Sequence, residues 1–460
     1  CVVSGDALYL LSATEALSKI KSNKISVTQY VESLIFRINQ INPQTFVWSH
    51  LNFEQTLEQA KNLDTSIQSG IETGTLCGIP IGIKDIFNTA DFPTEMGSNL
   101  WKDFTPGNDS RVVHYLRQSD AIIMGKTETA EFAVHALGKS QNPYDFERSP
   151  GTSSSGSAIA VATFMVPLSI GTQTAGSIIR PASYCGVFGF KPSFGLLPRT
   201  GMLKTTDSLD QIGFFARTPK DLELIFDSTH VKGKNYPLSH SALNDTSRQT
   251  VSHRPWKIKF VKTHTWKNCT DSIQKSVTNF IQTLSTHPEF EIDELELPSN
   301  FELAHENHKT IYTKSLSYYF KEELKQKSLV SEIFYDFSNY SKNISLDDFD
   351  KSISYQSHIT NQLDDSFRNF DIILSLSTVD HAPLRNNPEK DDPSLIWTMC
   401  GVPAINIPVL FTENELPVGI QVIARKYNDK LLMNFVNLLH KKNIISDAPY
   451  PNPKLNNLLN

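Results

Sequence analysis

The chain has 460 residues, 39% hydrophobic and 20% charged, which excludes a disordered or collagen-like polymer and is long enough to bury a large core. A formal charge of −6 and a pI near 6.1 leave no basic footprint for gripping nucleic acid directly, so a small or protein-borne substrate is expected. Five cysteines, Cys1, Cys77, Cys185, Cys269 and Cys400, are odd in number and form no CxxC pair, which argues against a disulfide framework or zinc site and points to a reducing cytosol.

In chain order, Ser12-Ala-Thr-Glu15 and Ser26-Val-Thr-Gln29 read as capping boxes that open two helices. The second carries Val31, Leu34, Ile35, Ile38 and Ile41 on one face, with Pro43 expected to stop it. From about 78 to 227, short apolar runs such as Ile79-Pro-Ile-Gly-Ile83 and Ala121-Ile-Ile-Met124 alternate with helical stretches and glycine-rich turns, the pattern of an α/β sheet with covering helices. Residues 228–250 read as a surface loop, and Trp256-Lys-Ile-Lys-Phe-Val261 resumes a strand. The stretch 300–368 reads as helices rich in Lys, Asp, Ser and Tyr. Phe370-Asp-Ile-Ile-Leu374 then returns as a buried strand, followed by strands between Gly401 and Ile423. The part from about 251 to 445 therefore completes the sheet, and residues 1–460 are expected to form a single domain without internal repeats.

The longest apolar stretch, 158–171, is interrupted by Thr163, Pro167 and Ser169 and is too short for a membrane span, so it belongs in the core. Cys1 opens the chain without a methionine. A trimmed end is expected there; a lipidated cysteine, which would make the protein anchored or exported, is the alternative. Asn244-Asp-Thr246 and Asn268-Cys-Thr270 match the glycosylation pattern but carry no weight without a secretion signal.

Two glycine and serine clusters, Ser149-Pro-Gly-Thr-Ser-Ser-Ser-Gly-Ser157 and Gly171-Thr-Gln-Thr-Ala-Gly-Ser177-Ile-Ile-Arg-Pro-Ala182, bracket one buried element. Small residues let the backbone turn tightly and approach a ligand, and successive free N–H groups make an anion nest, which in acyl transfer is an oxyanion hole. A serine nucleophile needs a base, yet no G-x-S-x-G elbow occurs. Lys84 ends an apolar strand, where desolvation disfavours its charge, and a neutral lysine is a competent base. Gly125-Lys126-Thr127 lacks the earlier glycine of a phosphate-binding loop, Asp120 standing there, and is assigned to structure. His305-Glu-Asn-His308 lacks the spacing that sets two imidazoles on one metal, and a helical surface pair is expected. No metal or organic cofactor is called for.

The two serine blocks closely resemble the amidase signature family. The likeness extends to Gly78-Ile-Pro-Ile-Gly-Ile-Lys-Asp85, Gly125-Lys-Thr127 with Glu131-Phe-Ala133, Cys185-Gly-Val-Phe-Gly-Phe-Lys-Pro192, Ser208-Leu-Asp-Gln-Ile-Gly213, Ala216-Arg-Thr218, Gly401-Val-Pro-Ala404 and Leu416-Pro-Val-Gly-Ile-Gln421. The resemblance implies a central mixed β-sheet covered on both faces by α-helices. It implies Ser177 as nucleophile, Ser153 as a bridging serine held by a cis peptide, and Lys84 as the base ending the relay. Thr174, Ala175, Gly176 and Ser177 would form the oxyanion hole. Substrate-binding residues beyond these are not assigned.

The chain departs from the family's commonest pattern at Thr152, Ser155, Gln173, Ala175 and the Ile179-Arg180 pair, where arginine usually comes one position earlier. Gln173 and the displaced Arg180 lie close enough in sequence to be a coupled change in how the expected nucleophile loop is braced, which puts that support in question. The expected function is an amidase acting on a small-molecule or lipid-like amide. The alternatives are the glutaminase subunit of a tRNA-dependent amidotransferase, which releases ammonia for a partner, and a carbamoyl- or urea-type amidohydrolase. A homodimer is compatible with the resemblance.

Overall fold

The computed structural model describes residues 7–233, 236, 243, 249–251, 254–387 and 389–451. Cys1, the Asn244 acceptor and much of the 228–250 loop lie outside them.

Eleven strands form one mixed sheet: β1 (Trp48–Leu51), β2 (Pro80–Lys84), β3 (Ile122–Thr127), β4 (Leu168–Gln173), β5 (Phe188–Lys191), β6 (Gln211–Ala216), β7 (Trp256–Phe260), β8 (Phe290–Glu294), β9 (Ile372–Leu376), β10 (Ala404–Phe411) and β11 (Pro417–Ala424). Their order is β1-β3-β2-β4-β6-β5-β10-β11-β9-β7-β8. β2 runs parallel to β3 and β4, β4 antiparallel to β6, and β5 pairs antiparallel with β10. That last pairing joins the signature half to the C-terminal strands, so the two halves share one sheet and one α/β domain, as expected.

The helices lie on both faces. In β5 the side chain of Phe190 packs on Phe226 of α7 (Pro219–Thr229), ring centroids 5.3 Å apart. A Cβ on its neighbour Gly189 would stand 2.6 Å from Ala182 of α6 (Ile179–Cys185). Successive strand residues point to opposite faces, so α6 and α7 cover opposite sides. The apolar stretch 158–171 forms the end of α5 (Ser155–Ala162) and most of β4, both buried throughout.

Both capping boxes are present, on helices Ala13–Lys21 and Val27–Thr45. Pro43 does not stop the second: the helix runs to Thr45 and ends where Phe46 turns left-handed, its N–H donating to Asn42. A proline this close to a C-terminus forfeits one backbone bond, and Asn42 Oδ1 repairs the exit by accepting from the amides of Val47 and Trp48. Cys77, Cys185, Cys269 and Cys400 are free and buried. Among the described residues no helix is long and apolar enough to cross a membrane.

Candidate active site

Lys84 closes β2, and the parallel pairing of β2 with β4 sets its side chain beside Thr172. Its Nζ is fully buried and lies 2.8 Å from Ser153 Oγ, 3.0 Å from Ser154 Oγ and 2.8 Å from Thr172 Oγ1. Among the described residues its partners are three hydroxyls and no carboxylate. Burial pushes the amine well below the usual lysine range, opposed only by the charge of Asp210.

The turn that carries Ser153 begins at Gly151, whose φ of +80° a side chain would resist, and a Cβ there would stand 2.5 Å from Pro181 Cα. That contact docks the turn on α6, the helix that follows Ser177. Thr152 Oγ1 and Arg180 Nη1, 3.0 Å apart, tie the same two segments. The peptide bonds of the described residues are all trans, so the cis peptide expected at Ser153 is absent. Ser177 is partly exposed, and its Oγ has no hydrogen-bond partner among the described residues, so the observed chain of contacts runs from Lys84 to Ser153 and stops there.

Residues 174–177 form a loop whose carbonyls are pinned one after another. Thr174 O lies 2.8 Å from His308 Nε2, Ala175 O accepts from Thr398 Oγ1 at 2.5 Å, and Gly176 O accepts from the Arg180 amide at 2.8 Å. The Thr174 hydroxyl donates to Asp210, which also gathers Thr205 and Thr206. Among the described residues the amides of Ala175, Gly176 and Ser177 have no hydrogen-bond acceptor. Gly176 admits no side chain: a Cβ would fall 1.7 Å from Asp392 Oδ2.

Gln173 and Arg180 turn out to act separately. Gln173 Oε1 accepts from the amides of Ile178 and Ile179 at 2.8 and 2.9 Å, while its Nε2 donates to Thr398 Oγ1 at 2.8 Å. A neutral amide thus braces the start of α6 beside apolar Ile179. Arg180 turns into a cavity of about 1310 Å³, where Asp392 and Glu389 hold it. Burial raises the Asp392 carboxyl, but Arg180 and the Ser394 hydrogen bonds outweigh it and hold it below the usual carboxylate range. Of the four expected oxyanion residues, Ala175 lines this cavity.

His305 and His308 are not a surface pair. Both stand on the helix Ala304–Tyr319 and line the cavity, His308 buried and His305 half-buried. Their helix face packs on the 174–177 loop, a relation no local pattern encodes. Thr398, Glu389 and Asp392 carry no signal in the sequence and His308 reads there as a surface residue, whereas Asp210 lies within the Ser208–Gly213 motif. His50, Asp85 and Glu95 are a group of the described residues whose donor atoms lie close enough for a metal, within 4.8 Å of one another. Lys126, 3.0 Å from Asp85, already answers one of the two carboxylates, and Glu95 lies 3.3 Å from His50.

A family model described as Amidase matches residues 29–433. The chain is similar to the A subunit of glutamyl-tRNA(Gln) amidotransferase of Natranaerobius thermophilus, 28% identical over 96% of this chain and 98% of that one. Among solved structures it is similar to a peptide amidase from Stenotrophomonas maltophilia, with a TM-score of 0.81, 21% identity and coverage of 96% and 99%. It is similar also to the Thermotoga maritima amidotransferase A subunit, with a TM-score of 0.76, 22% identity and coverage of 97% and 98%. With a signature sheet that spans both halves, a buried lysine among serines and a family match over most of its length, the chain belongs to the amidase family and is an amidohydrolase of carbon–nitrogen bonds.

Proposed function

We propose that the protein is an amidase that hydrolyses small-molecule amides through an acyl-enzyme on Ser177, with Ser153 and Lys84 relaying protons. The observation that carries this reading is the Lys84 amine, buried without a carboxylate partner 2.8 Å from Ser153 Oγ. Ser154 donates to Thr172 O and therefore receives from Lys84. A neutral amine has two hydrogens to give, to Ser154 and Thr172, which leaves its lone pair for the Ser153 hydroxyl.

In the reaction Ser177 Oγ attacks the amide carbon. Its proton passes to Ser153 as that residue's own proton passes to Lys84, and the free amides of the 174–177 loop receive the oxyanion. The proton then returns to the nitrogen as the C–N bond breaks and the amine departs. Water enters by the same relay, frees the acid and restores Ser177. Covalent labelling of Ser177 by a fluorophosphonate, abolished in Ser177→Ala, is the direct test. An unlabelled but active enzyme would sink the assignment.

The second reading is a glutaminase subunit. It is favoured by the 28% likeness to the amidotransferase A subunit along nearly the whole chain. Glutamine as the only amide hydrolysed, or a co-purifying partner subunit, would decide for it. The stand-alone reading is preferred because Gln173, Ile179 and the 300–368 region depart from the amidotransferase pattern, and helices of that region supply His305, His308 and Tyr312 to the cavity, a pocket-forming segment of the kind that sets substrate choice.

A further inference from the structure

Four rings run in sequence from the 174–177 loop along one wall of the cavity. His308, whose Nε2 lies 2.8 Å from Thr174 O, packs on Tyr312 one helical turn on, with ring centroids 5.5 Å apart at 70°. Tyr312 meets Phe337 at 5.3 Å and 73°, and Phe337 meets His135 at 4.9 Å and 89°. All four line the cavity, and each contact is edge to face, the arrangement aromatic pairs prefer. Leu137 and Ile333, the latter 55% exposed, extend the wall. Apolar surface left bare in a cavity gains free energy when an apolar group covers it.

His135 is the polar group at the far end of this wall. It is half-buried, and among the described residues neither ring nitrogen has a hydrogen-bond partner. Burial, helped by the charge of Arg180, pushes the imidazole down to about 4, so it is neutral and offers one donor and one acceptor. The backbone leading to it is strained: Phe132 and Ala133 are left-handed, with φ of 49° and 58°, and neither is a glycine. Such a conformation persists only where packing enforces it, and it clusters at ligand sites. Here the Phe132 ring lies 4.9 Å from both Phe320 and Phe334, and Glu131 accepts from the Ser331 amide at 3.0 Å. The helix Glu332–Asn339 bears both Phe334 and Phe337, so the strained segment and the aromatic wall form one packed unit that fixes His135.

We propose that this wall is a subsite for a phenol ring of the substrate, the ring packing on Tyr312 and Phe337 and its hydroxyl bonding to His135, so that the enzyme selects amides carrying a hydroxyaryl group close to the scissile bond. The inference rests on the reading of Ser177 as nucleophile. A phenol hydroxyl both donates and accepts, which matches a neutral imidazole with one group of each kind. An unsubstituted ring covers the apolar wall but leaves the His135 nitrogens stripped of water and unpaired. A charged group gains nothing there, because the aromatic wall cannot replace its hydration.

The test uses paired amides that differ only in a ring hydroxyl: para-hydroxyphenylacetamide with phenylacetamide, and N-(para-hydroxybenzyl)acetamide with N-benzylacetamide, which carry the ring on opposite sides of the scissile bond. In at least one pair the wild type is expected to show kcat/KM about 10-fold or more in favour of the hydroxylated member, since a site built to bond a hydroxyl rejects the analogue lacking it. His135→Phe should bring that ratio close to one, and His135→Gln, which keeps a donor and an acceptor, should restore part of it. Phe337→Ala should weaken both members of the pair alike. Equal use of both members of each pair by the wild type, or an unchanged ratio in His135→Phe, overturns the proposal. Calorimetric binding of the same amides to the Ser177→Ala protein reads the subsite without turnover, and no binding by any of them overturns it as well. Tighter binding of a hydroxylated member with no hydrolysis by the wild type would fault the amidase reading alone; hydrolysis with no preference in rate or binding would fault the subsite alone.

Discussion

His308 donates through Nε2 to the carbonyl oxygen of Thr174, 2.8 Å away. A carbonyl only accepts, so the ring keeps its proton on Nε2. Burial lowers the imidazole to about 4, and it is therefore neutral over the working range and acts on the peptide's orientation, not by charge. Helix Ala304–Tyr319 in this way sets the direction of the first amide after Thr174.

His308→Phe removes that donor while keeping an aromatic ring. We expect kcat to fall about 10-fold or more with KM little changed, as for loss of an interaction realised in the transition state. His308→Gln, which can still donate, should recover part of it. Steady-state kinetics on one amide checks this, and an effect confined to KM would contradict it.

Lys84 gives the pH dependence. Its amine is lowered by burial, and only the neutral form accepts a proton. Activity is therefore low where the amine is protonated and rises with pH through a midpoint well below the usual lysine value. A kcat/KM profile of the free enzyme measures it. Lys84→Ala should nearly abolish turnover, and an unchanged profile in a residually active Lys84→Ala protein would show that another group is the base.

Gln173→Ala leaves the amides of Ile178 and Ile179 without their side-chain acceptor and Thr398 without a donor. Buried unsatisfied groups cost about 1–3 kcal/mol each, so a loss of roughly 2–4 kcal/mol in urea unfolding is expected, with weakened activity because α6 follows Ser177, the proposed nucleophile. Full stability would mean the start of α6 is held by something else.

Lys126 and Asp85 form a buried pair at 3.0 Å, the amine also donating to Pro93 O and Thr94 Oγ1. Removing one partner of such a pair costs about 3–5 kcal/mol, which is the expectation for Lys126→Met. The double variant with Asp85→Asn should be distinctly more stable than Lys126→Met alone. Chemical denaturation of both checks the coupling.

Much of the fold was legible because its signals are local. Ser12 and Ser26 each cap a helix through a residue three positions on, and the run ending at Lys84 is apolar on every residue but one glycine, as a strand buried on both faces requires. Pro43 misled because a local stop signal was outweighed by the side chain of Asn42, which repaired the helix end. His305 and His308 misled for the opposite reason: a polar residue on a helix reads as exposed unless its distant partner is known.

The ordered serine, glycine and lysine motifs assigned the chain to the α/β amidohydrolases through their resemblance to the amidase signature family; the residues by themselves determined a serine-rich tight turn and a lysine at a buried strand end, the parts of a nucleophile and its base. Only the tertiary structure decided what surrounds Ser177. It placed Lys84 against Ser153, set His308 and Thr398 behind the 174–177 loop, and aimed Arg180 at Asp392 and Glu389. Those partners lie far apart along the chain, and hydrogen bonds between such segments are fixed by how the sheet and its covering helices pack, which no local pattern records.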